Sequence, residues 1–312
     1  MADVPYRLVD LGQQRVLTVG DREYVTGYSE RVIRMLIERK GVRRTPPYLS
    51  YKETRGRYFL APLFASLRAR RAARLSVLEV GCSFGHMTEY LAEQPEVAEL
   101  YTFDTDATFV ELTRAKVEEL GLAAVREVAH FGNDATRRLP YPDARFDVVL
   151  AVGVVEHLPM RNRRAQVDEY YRVLAPGGHI AILDTPNRLF PLETHSVGLP
   201  LIQWLPARLA YLYARVARAR RFRGVPYAEF TADGTGWRNA TLWDCLPSSG
   251  RAGLVDVTEE AGYGWHFFRS TARSRTRRLA LPAFGAACAA LRTAGLPPSL
   301  CLPYLNLVFR KL

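Results

Sequence analysis

The chain has 312 residues, of which 48% are hydrophobic and 24% charged, and this composition excludes a disordered protein. Its four cysteines include no C-x-x-C pair, which disfavours a zinc ribbon or a disulfide scaffold and favours a reducing cytoplasm. The formal net charge is +11, and residues 186–312 carry a net +10 of it, against +1 for residues 1–185. The basic C-terminal part leaves open an anionic partner, such as a phosphorylated substrate, a lipid surface or RNA.

The two ends of the chain bear on its location. The first residues, MADVPYRLVDLGQQR, contain acids and no apolar core, so we expect no secretory signal. The longest uncharged stretches near the C terminus contain prolines and are shorter than the about 20 apolar residues of a membrane-spanning helix. We therefore expect a cytoplasmic protein, and peripheral contact with the inner face of the membrane stays open.

Residues 1–73 predict an N-terminal helical cap. Apolar residues at helical spacing predict one helix over residues 23–40 and a second over residues 51–73, with a proline-containing loop between them. From residue 75 the pattern changes, because short apolar runs alternate with helical segments. The predicted strands are 75–80, 100–104, 125–131, 146–152 and 179–185, and the helices between them are 86–93, 106–120 and 162–174.

This alternation predicts βαβ units with helices on both faces of a parallel sheet. Two later strands, at 254–259 and 304–312, would complete a seven-stranded, mostly parallel sheet of the α/β class. We therefore predict one domain over residues 74–312. Insertions at about 186–240 and 261–303 would form a lid.

A glycine turn, defined as residues 81–85 (GCSFG), follows the first strand of this domain. Glycines let a backbone approach a ligand closely, and the N-terminus of the next helix favours an anion. Asp104 ends the second strand, at the position that binds ribose hydroxyls in nucleotide-binding βαβ units. The alternative is that Asp104 or Asp106 only caps the following helix.

The glycine pattern restricts the nucleotide. The dinucleotide fingerprint needs glycines where this chain has Ser83 and His86, so NAD is disfavoured. No Walker pattern is present, so ATP or GTP hydrolysis is disfavoured as well.

Six motifs follow one another in order. They are EVGCSFG at 79–85, NDA at 133–135, LPYPD at 139–143, FDVV at 146–149, EHL at 156–158 and RVLAPGG at 172–178. Together with Asp104 they resemble the Rossmann-like, class I S-adenosylmethionine-dependent methyltransferases, especially the small-molecule branch that includes ubiquinone-biosynthesis enzymes. The resemblance covers about residues 75–185, with Ser83 in place of the middle glycine and Ala175 in place of the lysine before Pro176.

The resemblance implies S-adenosyl-L-methionine as the cofactor. Asp104 would bind the ribose diol, Asp134 would accept from the adenine amino group, and Glu79 would help to hold the ammonium of the methionine end. The residues implied in cofactor binding are Glu79, Gly81, Ser83, Gly85, Asp104, Thr105, Asn133, Asp134, Ala135 and Val152.

A hydroxyl or amine acceptor must lose a proton, so a base near the methyl group helps the transfer. His157, in the turn after the fourth strand, is the candidate by position, and a structural role in that turn is the alternative. Glu193 and His195 lie in a long connection beside the predicted site and are further catalytic candidates, with packing at the sheet rim as the alternative. No metal is expected, because no group has metal-ligand spacing.

Residues 205–223 predict an arginine-rich helix with one apolar stripe. The stripe consists of Leu205, Leu209, Leu212, Tyr213 and Val216. We favour a lid helix that packs this stripe on the domain. A helix at a membrane interface is the alternative, and a lipid-linked substrate would follow from it.

The sequence therefore predicts transfer of a methyl group to a small-molecule, glycan or lipid-linked biosynthetic intermediate. An RNA methyltransferase that uses the basic C-terminal region is one alternative, but no [DNS]-P-P-Y follows the fourth strand and no RNA-binding module is recognisable, which disfavours a nucleic acid partner. A non-catalytic partner protein that binds the cofactor is the other, and the presence of Asp104, Asp134 and Gly85 argues against it.

Overall fold

The computed structural model describes residues 5–70 and 74–312. The chain forms two units that divide between residues 132 and 133. The first unit holds the N-terminal segment and the first three strands of the predicted domain, and the second unit holds the rest.

The N-terminal segment is not wholly helical, which corrects the prediction of a helix from residue 23. Three antiparallel strands come first, namely β1 (Tyr6–Asp10), β2 (Arg15–Val19) and β3 (Arg22–Thr26). Val19 pairs with Arg22, so Gly20 and Asp21 form a two-residue hairpin loop in which Gly20 has a φ of 59°. A Gly-Asp pair between two apolar runs is a hairpin signal that the helical interpretation overlooked.

The predicted helices begin later and pack inward. The helix α1 (Glu30–Lys40) begins at Ser29, whose side chain accepts a hydrogen bond from the amide of Val32, and α2 (Arg57–Ala69) follows a π-helical turn. Helix α1 buries Val32, Ile33 and Leu36 completely. Burial of such side chains contributes about 1.5–3 kcal/mol each. Residues 71–73 of the predicted second helix lie outside the described residues.

A buried polar network ties the N-terminal segment to the helices after it. The Lys116 side chain is 1% exposed, and its Nζ donates to the Tyr28 hydroxyl at 2.8 Å. The same ammonium lies 3.4 Å from the Glu89 carboxylate, to which the Tyr28 hydroxyl donates at 2.6 Å. Burial lowers the pKa of Lys116 to about 8, and the carboxylate opposes that shift. The charge of Lys116 is thus compensated inside the first unit.

The first unit continues with two βαβ crossovers. Its three parallel strands lie in the order β6, β5, β4, and β4 is buried along its whole length. The elements are β4 (Leu75–Val80), α3 (His86–Ala92), β5 (Val97–Asp104), α4 (Ala107–Glu119) and β6 (Val125–His130).

The second unit contributes four strands in the order β7, β8, β10, β9, of which β7 and β8 are parallel and β10 is antiparallel to both neighbours. These elements are β7 (Phe146–Val152), α5 (Arg163–Val173), β8 (Leu174–Pro186), β9 (Leu254–Asp256) and β10 (Tyr304–Lys311). The seven strands of β4–β10 belong to one mostly parallel sheet, which confirms the predicted Rossmann-like α/β fold. Strand β9 is shorter than the predicted 254–259.

The two predicted insertions are largely helical. The first contains α6 (Ala207–Ala217), α7 (Ala219–Phe222) and α8 (Tyr227–Phe230), and the second contains α9 (Gly264–Ser270) and α10 (Arg275–Thr293). That they act as a lid stays a prediction. Within the described residues, no helix combines the length and apolarity needed to cross a bilayer.

Only two residues of the predicted stripe, Leu205 and Tyr213, pack against the core of this insertion, where both are partly buried. Helix α6 buries Ala210 and Ala214 instead, while Leu209 and Leu212 are each 54% exposed and Val216 is 81% exposed. The small alanine face lies against a core that includes Ile202. Helical periodicity located the stripe but could not tell which face turns inward.

Candidate active site

The glycine turn in the first unit has an unusual backbone. Gly81, Ser83 and Gly85 all have positive φ, at 76°, 47° and 70°. A Cβ on Gly85 would lie 3.1 Å from Thr113 Oγ1 and 3.3 Å from its Cα, so this position requires glycine. Ser83 adopts the left-handed region without being glycine, and its backbone contacts offset the cost, since Thr113 donates to its carbonyl at 3.3 Å.

Asp104 lies at the end of β5 and holds the turn in place. Its Oδ2 accepts the amide of Ser83 at 2.8 Å, and its Oδ1 accepts the amide of Asp106 at 3.0 Å. Burial raises its pKa, and these backbone donors oppose the shift. Capping falls to Asp106, which accepts the amide of Thr108 at 2.9 Å at the start of α4. Thr105, between the two acids, has its carbonyl 3.2 Å from His130 Nε2.

Glu79 is buried one residue before the end of β4. Its Oε2 accepts the Thr88 hydroxyl at 2.5 Å, and its Oε1 has no hydrogen-bond partner among the described residues. Burial raises its pKa to about 7. An unpaired buried carboxylate oxygen is costly, and an ammonium beside it would both pair it and lower the pKa. The unpaired carboxylate oxygen of Glu79 therefore fits the ammonium at the methionine end of the predicted cofactor.

The remaining predicted cofactor residues belong to the second unit. Asn133, Asp134 and Ala135 are exposed at the start of a short turn, where the Asp134 carboxylate accepts from Asn162 at 3.4 Å. The Asn133 carbonyl accepts from Thr136 at 2.8 Å, and Val152 ends β7. The exposed carboxylate of Asp134 has capacity for a further donor. The binding roles of these residues stay predictions.

His157 and His195 come together in the second unit, although 38 positions separate them. Their Nε2 atoms lie 3.1 Å apart, and His157 Nδ1 lies 2.6 Å from the Gly234 carbonyl. Because a carbonyl only accepts, we assign the proton of His157 to Nδ1, so that its Nε2 accepts from His195. Burial lowers the pKa of His157, so the ring is neutral at pH 7, and its Nε2 can take up a proton when His195 gives up the hydrogen bond to it.

Glu156, beside this pair, was not among the predicted catalytic residues. Its side chain is 1% exposed, and neither carboxyl oxygen has a hydrogen-bond partner among the described residues. Burial raises its pKa to about 8, so the group is mostly protonated at pH 7 and can donate a hydrogen bond. The E-H-L motif contained this residue, but only burial reveals its protonation state. We call Glu156, His157 and His195 the histidine cluster.

The histidine cluster has the donor set of a metal site. One atom from each residue lies within 4.8 Å of the others, and two imidazoles with a carboxylate are ligands that Zn²⁺ accepts. Sequence spacing predicted no such group, because His195 lies in a different loop. The two ring nitrogens already satisfy each other by the 3.1 Å hydrogen bond, and we assign no metal.

Glu193 has a different place from the one predicted. Its carboxylate is fully buried and accepts four backbone amides, those of His195, Ser196, Val197 and Gly198, at 2.6–2.8 Å. All of these donors lie in its own loop. This geometry gives Glu193 the role of holding the loop that presents His195, and it does not favour direct contact with a substrate.

A cavity of about 190 Å³ lies beside the histidine cluster in the second unit, and its wall includes Glu156, Gly234 and Gly236. A Cβ on Gly236 would lie 3.1 Å from His157 Cε1 and from His195 Cδ2, and the φ of Gly236 is 73°. Glycine at this position therefore lets both rings sit against the wall. The other lining residues are Leu158, Met160, Arg163, Ala207, Thr231, Ala232, Asp233, Thr235, Trp237 and Arg238.

Known proteins are similar to this chain mainly over the segment that forms the sheet. Residues 77–178 match the family model described as a methyltransferase domain. A probable S-adenosylmethionine-dependent methyltransferase of Mycolicibacterium smegmatis is 36% identical over 39% of this chain and 42% of its own length. A demethylmenaquinone methyltransferase of Lactiplantibacillus plantarum is 28% identical over 51% of this chain and 63% of its own length.

A relative named as a tRNA methyltransferase is also similar to part of this chain. The probable tRNA methyltransferase 9B of Homo sapiens is 32% identical over 29% of this chain and 20% of its own length. The chain thus spans less than two thirds of each of these three relatives. Together with the family match, they confirm the resemblance that the ordered motifs indicated.

Proposed function

We propose that the protein, whose residues 77–178 match a methyltransferase domain, uses S-adenosylmethionine to transfer a methyl group to a small-molecule or lipid-linked biosynthetic intermediate. Glu79 is the observation that supports cofactor use most directly. Its buried, unpaired oxygen lies one strand residue before the glycine turn, where a cationic group would satisfy it.

The cofactor, when bound, supplies an electrophilic methyl group on a sulfonium. The residues of this chain would hold its parts: Glu79 the ammonium, Asp104 the ribose diol and Asp134 the adenine amino group. Asp104 already orients the backbone of Ser83, so the turn is organised before a ligand arrives. Preorganisation of this kind reduces the entropy lost on binding.

The acceptor, in this proposal, places its reacting group in the cavity beside the histidine cluster. A volume of about 190 Å³ suits one ring or a short chain rather than a whole lipid. Protonated Glu156 would donate a hydrogen bond to an acceptor oxygen, and the neutral His157–His195 pair would receive the proton that the acceptor loses. Positioning of the two reactants can supply roughly 7–11 kcal/mol of the barrier, and the base adds to this.

RNA is the second candidate acceptor. The similarity to a tRNA methyltransferase and the net charge of +10 on residues 186–312 support it. A cavity of this size would take one extruded base at most.

A labelling experiment tests the proposal. The protein is incubated with methyl-labelled S-adenosylmethionine and a cell extract, which is then separated into lipid, small-molecule, glycan and RNA fractions. We expect label in the lipid or small-molecule fraction, and none with Asp104→Ala at limiting cofactor. Label in RNA would select the second candidate, and the absence of label in every fraction despite cofactor binding would contradict both.

A further inference from the structure

Helix α6 presents its apolar residues to solvent. Leu209, Leu212 and Val216 follow a spacing of three and four residues, which places them on one face of a helix. They are 54%, 54% and 81% exposed, whereas Ala210 and Ala214 on the opposite face are fully buried. We call these three residues the outward stripe. A helix that buries alanine and exposes leucine and valine has an apolar face without a partner among residues 5–70 and 74–312.

The segment before α6 extends this apolar character. Leu201 is 46% exposed and Trp204 is 49% exposed, while Ile202 between them is buried in the core of the same insertion. The core fixes the direction of the turn, so the exposed side chains are held outward by packed neighbours. The indole N–H of Trp204 donates to the Arg188 carbonyl, and exposed tryptophan rings are enriched at the boundary between water and lipid.

Six arginines occur in and directly after α6, and acids are missing from this part of the sequence. No Asp or Glu occurs between Glu193 and Glu229, and within the described residues none of the arginines there forms an ion pair with a carboxylate. Their charge is therefore available to an external anion. All six are exposed, namely Arg208, Arg215, Arg218, Arg220, Arg221 and Arg223.

We propose that α6 and the turn before it dock on an anionic lipid surface, with the outward stripe in the interface and the arginines at the phosphate level. An amphipathic helix with leucines on one face and arginines around it binds membranes in this manner. The proposal assigns to this insertion a contact that methyl transfer itself does not require.

Charge distinguishes lipid from the other occupants of such a face. A second copy of the chain would bring the same patch against itself in a two-fold contact, and the two arginine groups would then repel each other. RNA would pair with the arginines but would leave the outward stripe in water. An anionic bilayer complements the cationic and the apolar parts together.

The position of α6 relates this surface to the acceptor. Ala207, the first residue of α6, lines the cavity beside the histidine cluster. A helix that lies on the bilayer would therefore hold the cavity within a few residues of the lipid headgroups. This consequence, which rests on the proposed function, favours an acceptor carried on a lipid chain.

Vesicle co-sedimentation tests the docking without any methyl transfer. The full chain is mixed with phosphatidylcholine vesicles, or with vesicles in which one third of the lipid is phosphatidylglycerol. We expect pelleting with the anionic vesicles and its loss at high salt. The triple variant Leu209→Gln, Leu212→Gln, Val216→Gln should reduce binding at least about tenfold, because its apolar face is gone while helix propensity is kept.

Two further variants control this result. Arg220→Gln with Arg221→Gln should weaken binding to anionic vesicles and leave the low binding to neutral vesicles unchanged. Leu11→Gln removes a 64% exposed leucine from the first unit and should bind as the parent does. Affinity for S-adenosylhomocysteine, measured on every variant, should be unchanged, so a failure of docking is separate from a failure of the cofactor site.

Three outcomes would overturn the proposal. They are equal pelleting with neutral and anionic vesicles, an equal loss in Leu11→Gln, and no pelleting at all. If sedimentation velocity showed a dimer that the triple variant dissociates, the occupant would be a second copy and the lipid assignment would be wrong.

Discussion

The glycine turn and the histidine cluster are built in opposite ways. The turn uses residues within one βαβ unit, and its key contact, from the Ser83 amide to Asp104, joins neighbouring strand ends. The histidine cluster joins a short turn after β7 to a loop 38 residues later and depends on a glycine further on. A site held by a strand edge tolerates change in distant loops, whereas a site assembled from loops depends on each of them.

The largest effect is expected from His157→Ala. Loss of the proton acceptor should slow methyl transfer by about 10²–10⁴-fold and leave cofactor affinity unchanged. Burial lowers the pKa of His157, so the parent rate should stay constant to a pH below 6.5, the ordinary value. Single-turnover kinetics across pH would measure both, with His266→Ala, in the same unit, as control. An unchanged rate would remove His157 from the mechanism.

The second-largest loss of methyl-transfer rate is expected from Gly236→Ala. The new Cβ would meet both imidazole rings at 3.1 Å on a backbone with φ of 73°, so the pair must move. A displacement of about 1 Å can cost about 10²-fold in rate. The turnover number is the measurement, and a stability scan separates strain from misplacement. Gly250→Ala, also at φ 73° but with open space around it, is the matched control. Equal rates in the two variants would contradict the dependence on Gly236.

Asp104→Ala should weaken binding of S-adenosylhomocysteine at least about tenfold, since a charged hydrogen-bond acceptor contributes about 1.5–3 kcal/mol. Calorimetry gives the affinity. Asp106→Ala is the control, because the Asp106 carboxylate caps α4 and pairs with Arg39 at 2.6 Å, and its loss should lower stability by about 0.5–2 kcal/mol without a change in affinity. Equal affinities for the parent and Asp104→Ala would show that the turn does not need this carboxylate.

Glu156→Gln comes last, because its expected effect is on the pH dependence of stability. Its pKa is about 8 in the folded protein, above the ordinary value of a carboxyl group, so its contribution is present at low pH and is lost as pH rises to 8. Glu156→Gln should therefore match the parent in free energy of unfolding at pH 4 and become progressively more stable than the parent as pH rises towards 8. Denaturant unfolding at several pH values would measure this, and parallel curves for both proteins would contradict it.

The sequence predicted the turn far better than the cluster. Glycines, an acid at a strand end and ordered motifs are local signals, and the positions of Gly81, Ser83, Gly85 and Asp104 followed from them. His157 and His195 were each candidates, but their contact depends on loop geometry that periodicity does not encode. Glu193 was a catalytic candidate because it lies in a long connection beside the predicted site, and its burial with four backbone donors indicates a role in holding the loop.

Helical periodicity also could not decide which face of α6 turns inward. It located the stripe, yet Ala210 and Ala214 are the residues of the helix that are buried in the insertion core. The hairpin at Gly20 and Asp21 differs from α6, because the Gly-Asp pair in the sequence is itself a hairpin signal. The helical interpretation of residues 23–40 overlooked that signal.

The network of Tyr28, Glu89 and Lys116 has a consequence for how this architecture can vary among related proteins. The ammonium receives a hydroxyl partner, Tyr28, from the N-terminal segment and a carboxylate partner, Glu89, from α3, so the carboxylate compensates its charge and the hydroxyl completes its hydrogen bonding. A relative that exchanged its leading segment as an independent module would have to bring a hydroxyl to the same point, or else change the lysine at the same time. Inheritance of that segment should therefore be coupled to the identity of one residue in α4.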